Sequence, residues 1–304
     1  MSWIVFFSKW LSPDFKKLAA TSKRIQLVTI SISHYCEIAS WSLKLANIPF
    51  VEHDYAPLQH VLPALRVRVG SGGKHLSSSS RTTPAAPNMS AEEAVVWEAK
   101  QAKADRAARS AAVPVAVCPD GSVWLDSWEV AQKSGLHPID PALRILLDEQ
   151  VGPLARQMAY CYILQPHNGP AFDALCTQDR HWLWALLWRL LLRTQVREKL
   201  AQTMRVHDPQ ARALCRERLL AAVGQLDALL AARTGPYLAG DAPGVGDIAL
   251  ASLVAPLVNP PRYCVGRYES VFAQLMRGAD MQGEVDFWRD TGAGRHTMHM
   301  YEKH

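Results

Sequence analysis

Several residues able to do chemistry stand close together near the start of the chain. Ser33-His34-Tyr35-Cys36 brings two hydroxyls, an imidazole and a thiol into one helical turn. Ser33 is a suitable N-cap, and a hydroxyl at that end can also donate to an anion that the helix field favours. Tyr35 is the second hydroxyl able to do this. Cys36 lies one turn further in, with less of the helix-end exposure that activates a thiol, and otherwise reads as a small buried residue. Val113-Pro114 opens a strand, and Asp126-Ser127 places a carboxylate and a hydroxyl at another helix start, as a cap or as ligand contacts. His34 with Cys36, and His296, His299 and His304 near the end, form no complete metal-ligand set, so no metal is expected and the end reads as a solvated tail. Six cysteines stand singly, at 36, 118, 161, 176, 215 and 264. Without a CxxC pair they suit neither a structural zinc site nor a disulfide scaffold, and point to a reduced protein.

These groups need elements to hold them. Residues 24–31 are short and β-branched and predict a buried strand. Ser33 opens a helix with Ile38, Trp41, Leu43 and Leu45 on its apolar side, and Asn47-Ile48-Pro49 stops it. Residues 50–55 predict a second strand, giving a β-α-β unit with parallel strands and a crossover helix. The pattern then degrades. Residues 70–87 are low-complexity and residues 90–110 predict an exposed, charged, Ala-rich helix, so about 66–110 reads as an insertion. Residues 113–118 and 122–125 predict antiparallel strands around the Pro119-Asp120-Gly121 turn, followed by a helix to about Lys133. Beyond Pro141 the period is helical, over 143–160, 182–204, 209–233, 246–258 and 268–276.

Composition narrows the function classes. A chain of 304 residues, 49% hydrophobic with 10 Trp, is too apolar for disorder and long enough for two domains. The net charge of +5 forms no polybasic tract, so nucleic acid is not the expected partner. The most apolar stretch, residues 181–193, is broken by Arg189 and Arg193 before the ~20 residues a spanning helix needs, so no membrane span is expected. Its Trp182, Trp184 and Trp188 read as the buried side of a long helix. Residues 1–23 read as an amphipathic extension that packs on the domain, with Trp3, Phe6, Phe7 and Trp10 near helical spacing. Asp14 is their one acidic residue, so organelle targeting is the alternative.

In this order the residues resemble the cytosolic glutathione transferase superfamily. Four signatures carry the resemblance between about residues 24 and 258: the Ser33-His34-Tyr35-Cys36 helix opening, as in serine-type classes; Val113-Pro114, like the family's Val-Pro with a cis proline; Asp126-Ser127, like its acidic-Ser pair; and Tyr237 to Leu250, like the start of its second-domain helix. Three departures accompany them. His34 replaces a proline. Gly244 stands where a capping Ser or Thr is expected, so half of the reciprocal box with Asp247 is lost. The insertion falls where the family has a short helix that contacts glutathione.

The resemblance implies an α/β N-terminal thioredoxin-like domain followed by an all-α helical C-terminal domain. The expected boundaries are 1–23 for the extension, 24–136 for the glutathione-binding domain, 137–290 for the helical substrate domain and 291–304 for a flexible tail. It also implies glutathione as co-substrate, a small hydrophobic electrophile, a homodimer, a cytoplasmic location and a role in detoxification. Ser33 is then the catalytic hydroxyl, with Tyr35 and Cys36 as runners-up. Glutathione would be bound by Ser33, His34, Val113, Pro114, Asp126 and Ser127. The thiol pKa must fall from about 9 toward neutral, at about 1.4 kcal/mol per unit. One charge-assisted hydrogen bond plus the helix field supplies about 2–4 kcal/mol. Val113 would pair with the cysteinyl backbone as a strand does, Asp126 would meet the γ-glutamyl ammonium and Ser127 its carboxylate. The three tryptophans could wall the electrophile pocket. Two alternatives stand beside this: a Cys36-dependent thiol oxidoreductase acting on disulfides or dehydroascorbate, and a non-catalytic interaction module of the same fold.

Overall fold

The computed structural model describes residues 13–30, 32–70, 111–275 and 279–304. The chain divides into two compact units, residues 1–30 with 47–130, and residues 31–46 with 131–304. In chain order it runs α1 (Phe15–Ser22), β1 (Ile25–Thr29), α2 (His34–Leu45), β2 (Phe50–Asp54), α3 (Val61–Gly70), β3 (Val115–Val117), β4 (Val123–Trp124) and α4 (Ser127–Lys133).

The first unit is built on one four-stranded sheet in the order β2-β1-β3-β4. β1 is buried at all five positions, as its β-branched composition predicts. It pairs in parallel with β2, from Ile25 opposite Phe50 to Thr29 opposite Asp54, and antiparallel with β3, Val28 opposite Val115. The hairpin to β4 closes at the expected turn, where the Gly121 N–H donates to the Cys118 carbonyl at 2.9 Å. One core cluster joins Phe15 and Ala19 of α1 to Val28, Ala64, Val67, Val115, Val117 and Val123. α1 is thus part of the fold, and Asp14 caps it by accepting from the Lys17 N–H at 3.1 Å. Residues 1–12 of the expected extension lie outside the described residues, as does the predicted helix over 90–110. α3 runs to Gly70, so the first residues of the stretch read as insertion from about 66 are helical.

The second unit is helical. α5 (Pro141–Ile145) continues through a π-helical turn, Leu146–Val151, into α6 (Gly152–Ile163). Then come α7 (Gly169–Thr177), α8 (Trp182–Leu187), a second π-helical turn, Trp188–Leu192, α9 (Arg193–Thr203) and α10 (Pro209–Ala232). α11 (Val245–Val258), α12 (Glu269–Leu275), α13 (Ala279–Arg289) and α14 (Gly292–Lys303) complete it. α11 is buried along nearly its whole length and forms the centre of the unit. α2 groups with this unit, not with the domain at 24–136 to which the sequence assigned it. The reason is packing: Trp41 on α2 sits edge-on to Tyr301 of α14 at 4.8 Å, in a core shared with Ile248, Tyr263 and Met300.

The flexible tail expected over 291–304 is a helix. Thr291 caps it by accepting from the Gly294 N–H, and Asp227 of α10 accepts from the N–H groups of Gly292 and Ala293 at 3.0 and 2.7 Å. His296, Thr297, Met300 and Tyr301 are buried. Two of the orphan donors at this helix start are met by a carboxylate far away in sequence, a cap that no local pattern reveals.

Candidate functional site

The N-terminus of α2 is built as the residues predict. Ser33 is its N-cap in extended backbone, and the hydroxyl oxygen accepts from the Cys36 N–H at 3.4 Å. That uses an oxygen lone pair and leaves the hydroxyl proton free to donate. Cys36 is 2% exposed, inside the helix rather than at its mouth. Tyr35 turns toward α6: its hydroxyl donates to the Asp148 carbonyl at 3.4 Å. Burial, then the Asp148 charge, push the phenol up to about 12, with Arg156 opposing. Position 152 must be glycine for this packing, because a Cβ there would stand 2.5 Å from the Tyr35 oxygen.

His34 is buried and neutral. Burial and the Arg156 guanidinium bring its imidazole down to about 3, against a hydrogen bond to the Gly152 backbone. Its ring lies 4.7 Å from that of Tyr35. One step further along α2, Glu37 carries its charge toward two buried phenols, Tyr263 and Tyr301. Both are raised well above 10, first by burial and then by nearby groups that include Glu37.

On the first unit, the Val113–Pro114 peptide bond is cis. Val113 lies just outside the β3 ladder and makes no backbone–backbone hydrogen bond among the described residues. Asp126 is exposed and caps α4, its Oδ1 accepting from the Glu129 N–H at 2.7 Å, and Glu129 Oε2 accepts from the Leu125 N–H at 2.7 Å. The second Asp126 oxygen has no hydrogen-bond partner among the described residues, and Ser127 beside it is buried. Both expected roles of this pair, cap and ligand contact, are thus compatible on different oxygens.

Two expectations change. The tryptophans do not share one buried side. Trp188 is fully buried and donates to Asp173, and Trp184 donates to the Cys176 carbonyl, so both serve the core of their own unit. Trp182, by contrast, is 64% exposed, together with Leu186, Leu187, Leu190 and Leu191. The start of α11 has no capping side chain at Gly244. A Cβ there would meet the His137 carbonyl oxygen and the Ala239 Cβ at 3.0 Å, so a larger residue is crowded. The same His137 carbonyl accepts from the Val245 N–H at 3.0 Å, which meets another of the orphan donors at that end. Asp247 keeps its half of the box, accepting from Gly244 and Leu238 N–H groups at 3.0 and 2.7 Å.

The sequence reasoning missed two groups. His296, expected in solvent, is 3% exposed and lies against Asp247. Arg68, hidden in the stretch read as insertion, is also buried. The apolar Val61, Leu65 and Val67 around it were the signal for a packed helix. Among the described residues no group of three or more His, Cys, Asp or Glu could hold a metal, and no helix is long and apolar enough to cross a membrane.

Residues 209–277 match the family model of the glutathione S-transferase C-terminal domain. The glutathione S-transferase of Ceriporiopsis subvermispora, solved with glutathione, is similar at 16% identity, over 92% of this chain and 97% of that one, with a TM-score of 0.50. A glutathione transferase of Pseudomonas putida with glutathione disulfide bound matches at 15% identity, 98% of each chain and a TM-score of 0.40. One of Burkholderia graminis with two glutathione molecules per subunit matches at 15%, covering 100% and 98%, with a TM-score of 0.41. No curated protein matches. The chain shares its fold with the Ceriporiopsis subvermispora enzyme, a small four-stranded sheet followed by helices, and residues 209–277 within those helices match the C-terminal domain model.

Proposed function

We propose that this protein is a glutathione transferase in which Ser33 stabilises the glutathione thiolate for attack on a small hydrophobic electrophile. The observation that carries the reading is the Ser33 hydroxyl at the N-terminus of α2, which accepts from the Cys36 N–H and so keeps its own proton to donate. The thiolate takes that proton as a hydrogen bond at the end of the helix where backbone N–H groups favour an anion. His34, neutral throughout the physiological range, adds no charge of its own there.

The unpaired Val113 backbone would take the cysteinyl N–H and C=O as an added strand, the free Asp126 oxygen the γ-glutamyl ammonium, and Ser127 with the start of α4 its carboxylate. Burial of Cys36 supports its structural role over a redox one. A homodimer and a cytoplasmic, detoxifying role belong to the same proposal. The exposed Trp182, Leu186, Leu187, Leu190 and Leu191 support the first, and six cysteines outside any disulfide support a reducing compartment. The test is retention on immobilised glutathione together with a conjugation assay on wild type and Ser33→Ala. Retention with loss of turnover in Ser33→Ala is expected. Normal turnover in the variant, or no retention of the wild type, overturns the reading.

A further inference from the structure

We infer that Arg68 is a positioning residue that holds two glutathione-contacting segments of the first unit at a fixed spacing, an inference that rests on the glutathione reading above. Arg68 lies in the last turn of α3 and is 8% exposed. Its Nη2 donates to the Ala112 carbonyl at 2.8 Å and to the Leu125 carbonyl at 2.6 Å. One guanidinium nitrogen carries two protons, so both bonds form at once from a single NH2 group. Ala112 immediately precedes Val113-Pro114, and Leu125 immediately precedes Asp126-Ser127. The two carbonyls lie 44 and 57 residues from Arg68 along the chain, and this side chain ties both.

A cation is an expensive way to fill buried space, and an apolar residue would pack there without ionic cost. The Asp126 and Glu129 carboxylates offset that cost by favouring the charged guanidinium. What the guanidinium adds over an apolar side chain is direction. A ligand that pairs with the Val113 backbone at one end and meets Asp126 at the other needs both segments placed to within about half an ångström. Hydrophobic contacts do not fix where two carbonyls stand relative to each other, and two short hydrogen bonds from one planar group do. The same bonds join α3 to the point where the chain returns at Ala112, so the ligand edge keeps its spacing whatever the length of chain between.

Calorimetric titration with glutathione and conjugation of a chlorodinitroarene test this on wild type, Arg68→Lys and Arg68→Met, with thermal melting to confirm folding. Loss of both bonds in Arg68→Met is expected to weaken glutathione binding and raise its KM about tenfold, with kcat at saturating glutathione within about twofold. Arg68→Lys, which keeps the charge and can reach one carbonyl, recovers most of the affinity, to within about threefold of wild type. A folded Arg68→Met that binds glutathione like the wild type overturns the positioning role while leaving the glutathione reading intact. So does a fall of kcat in step with affinity with no rescue by lysine, or failure of both variants to fold, since either marks a structural role only. A wild type that does not bind glutathione overturns both readings together.

Discussion

The Asp247 carboxylate of α11 lies 3.1 Å from Nε2 of His296 on α14, with both side chains sealed from solvent. Arg233 reaches the other ring nitrogen, Nδ1, at 3.4 Å. An arginine can only donate, so Nδ1 is the accepting nitrogen of that contact. Burial raises the Asp247 pKa, but His296 and the N–H groups of Gly244 and Leu238 outweigh it, and the net shift is downward. The pair connects the central helix of the second unit to the helix at its end.

Removing His296 leaves the buried Asp247 carboxylate only the Gly244 and Leu238 N–H groups. His296→Ala is expected to cost about 1–3 kcal/mol by chemical denaturation. The sign with pH follows from the depressed pKa: the Asp247 contribution is present above its unfolded value and is lost as pH falls through the lower folded one. The variant should therefore show less of the stability loss below about pH 4 than the wild type does.

His34 acts in a different window. Its folded pKa of about 3 lies below the ordinary 6.5, so between those values the unfolded chain binds a proton that the folded chain excludes. Stability then falls as pH drops from 6.5, by up to about 1.4 kcal/mol per unit. His34→Gln should flatten this limb in denaturant titrations at pH 4.5 to 6.5, and an unchanged slope would show that the imidazole is not buried neutral.

Ser33 serves as both cap and donor, and two variants separate the roles. Ser33→Ala loses both, with about 1 kcal/mol of stability and a rise of one to two units in the pKa of bound glutathione, read from thiolate absorbance. Ser33→Asp keeps an acceptor for the Cys36 N–H but has no proton to give. It should melt near the wild type while failing to lower the thiol pKa.

Cys36→Ala should keep turnover within about twofold and lose about 1 kcal/mol of stability, because the thiol fills space inside α2. Abolished activity in Cys36→Ala, with Ser33→Ala unaffected, would move the chemistry to a thiol exchange at Cys36.

The exposed leucines of α8 and the turn after it offer a check on assembly. Leu190, 70% exposed, contributes apolar surface that a second copy would cover. Leu190→Glu should raise the monomer fraction in sedimentation, and a wild type that sediments as a monomer at micromolar concentration would remove the dimer.

Local signals carried the parts of the fold that are themselves local. The β-branched run at 25–29, the Ser33 cap and the Pro119-Asp120-Gly121 turn each act within a few residues, and the structure has a strand, a helix start and a hairpin there. The Ser33, Val113-Pro114 and Asp126-Ser127 groups were legible for the same reason. What escaped depends on distance along the chain. α14 starts on a carboxylate from α10, His296 is solvated or buried according to where Asp247 stands, and Arg68 has its meaning only through two carbonyls on other elements. α8 misled for another reason. Its apolar residues and those of the turn after it nearly encircle the axis, so periodicity could not say that Trp188 is buried and Trp182 exposed.

The start of α11 shows where such a constraint can be kept. The acceptor for the Val245 N–H is a main-chain oxygen, which any residue at position 137 would offer. Selection at this point therefore acts on the route of the backbone through 134–140 and not on a residue type. Substitutions at 137 should drift freely, while adding or removing one residue in that loop would displace the oxygen and undo the helix start. A motif written in side chains passes over such a site, although one of the orphan donors is met there.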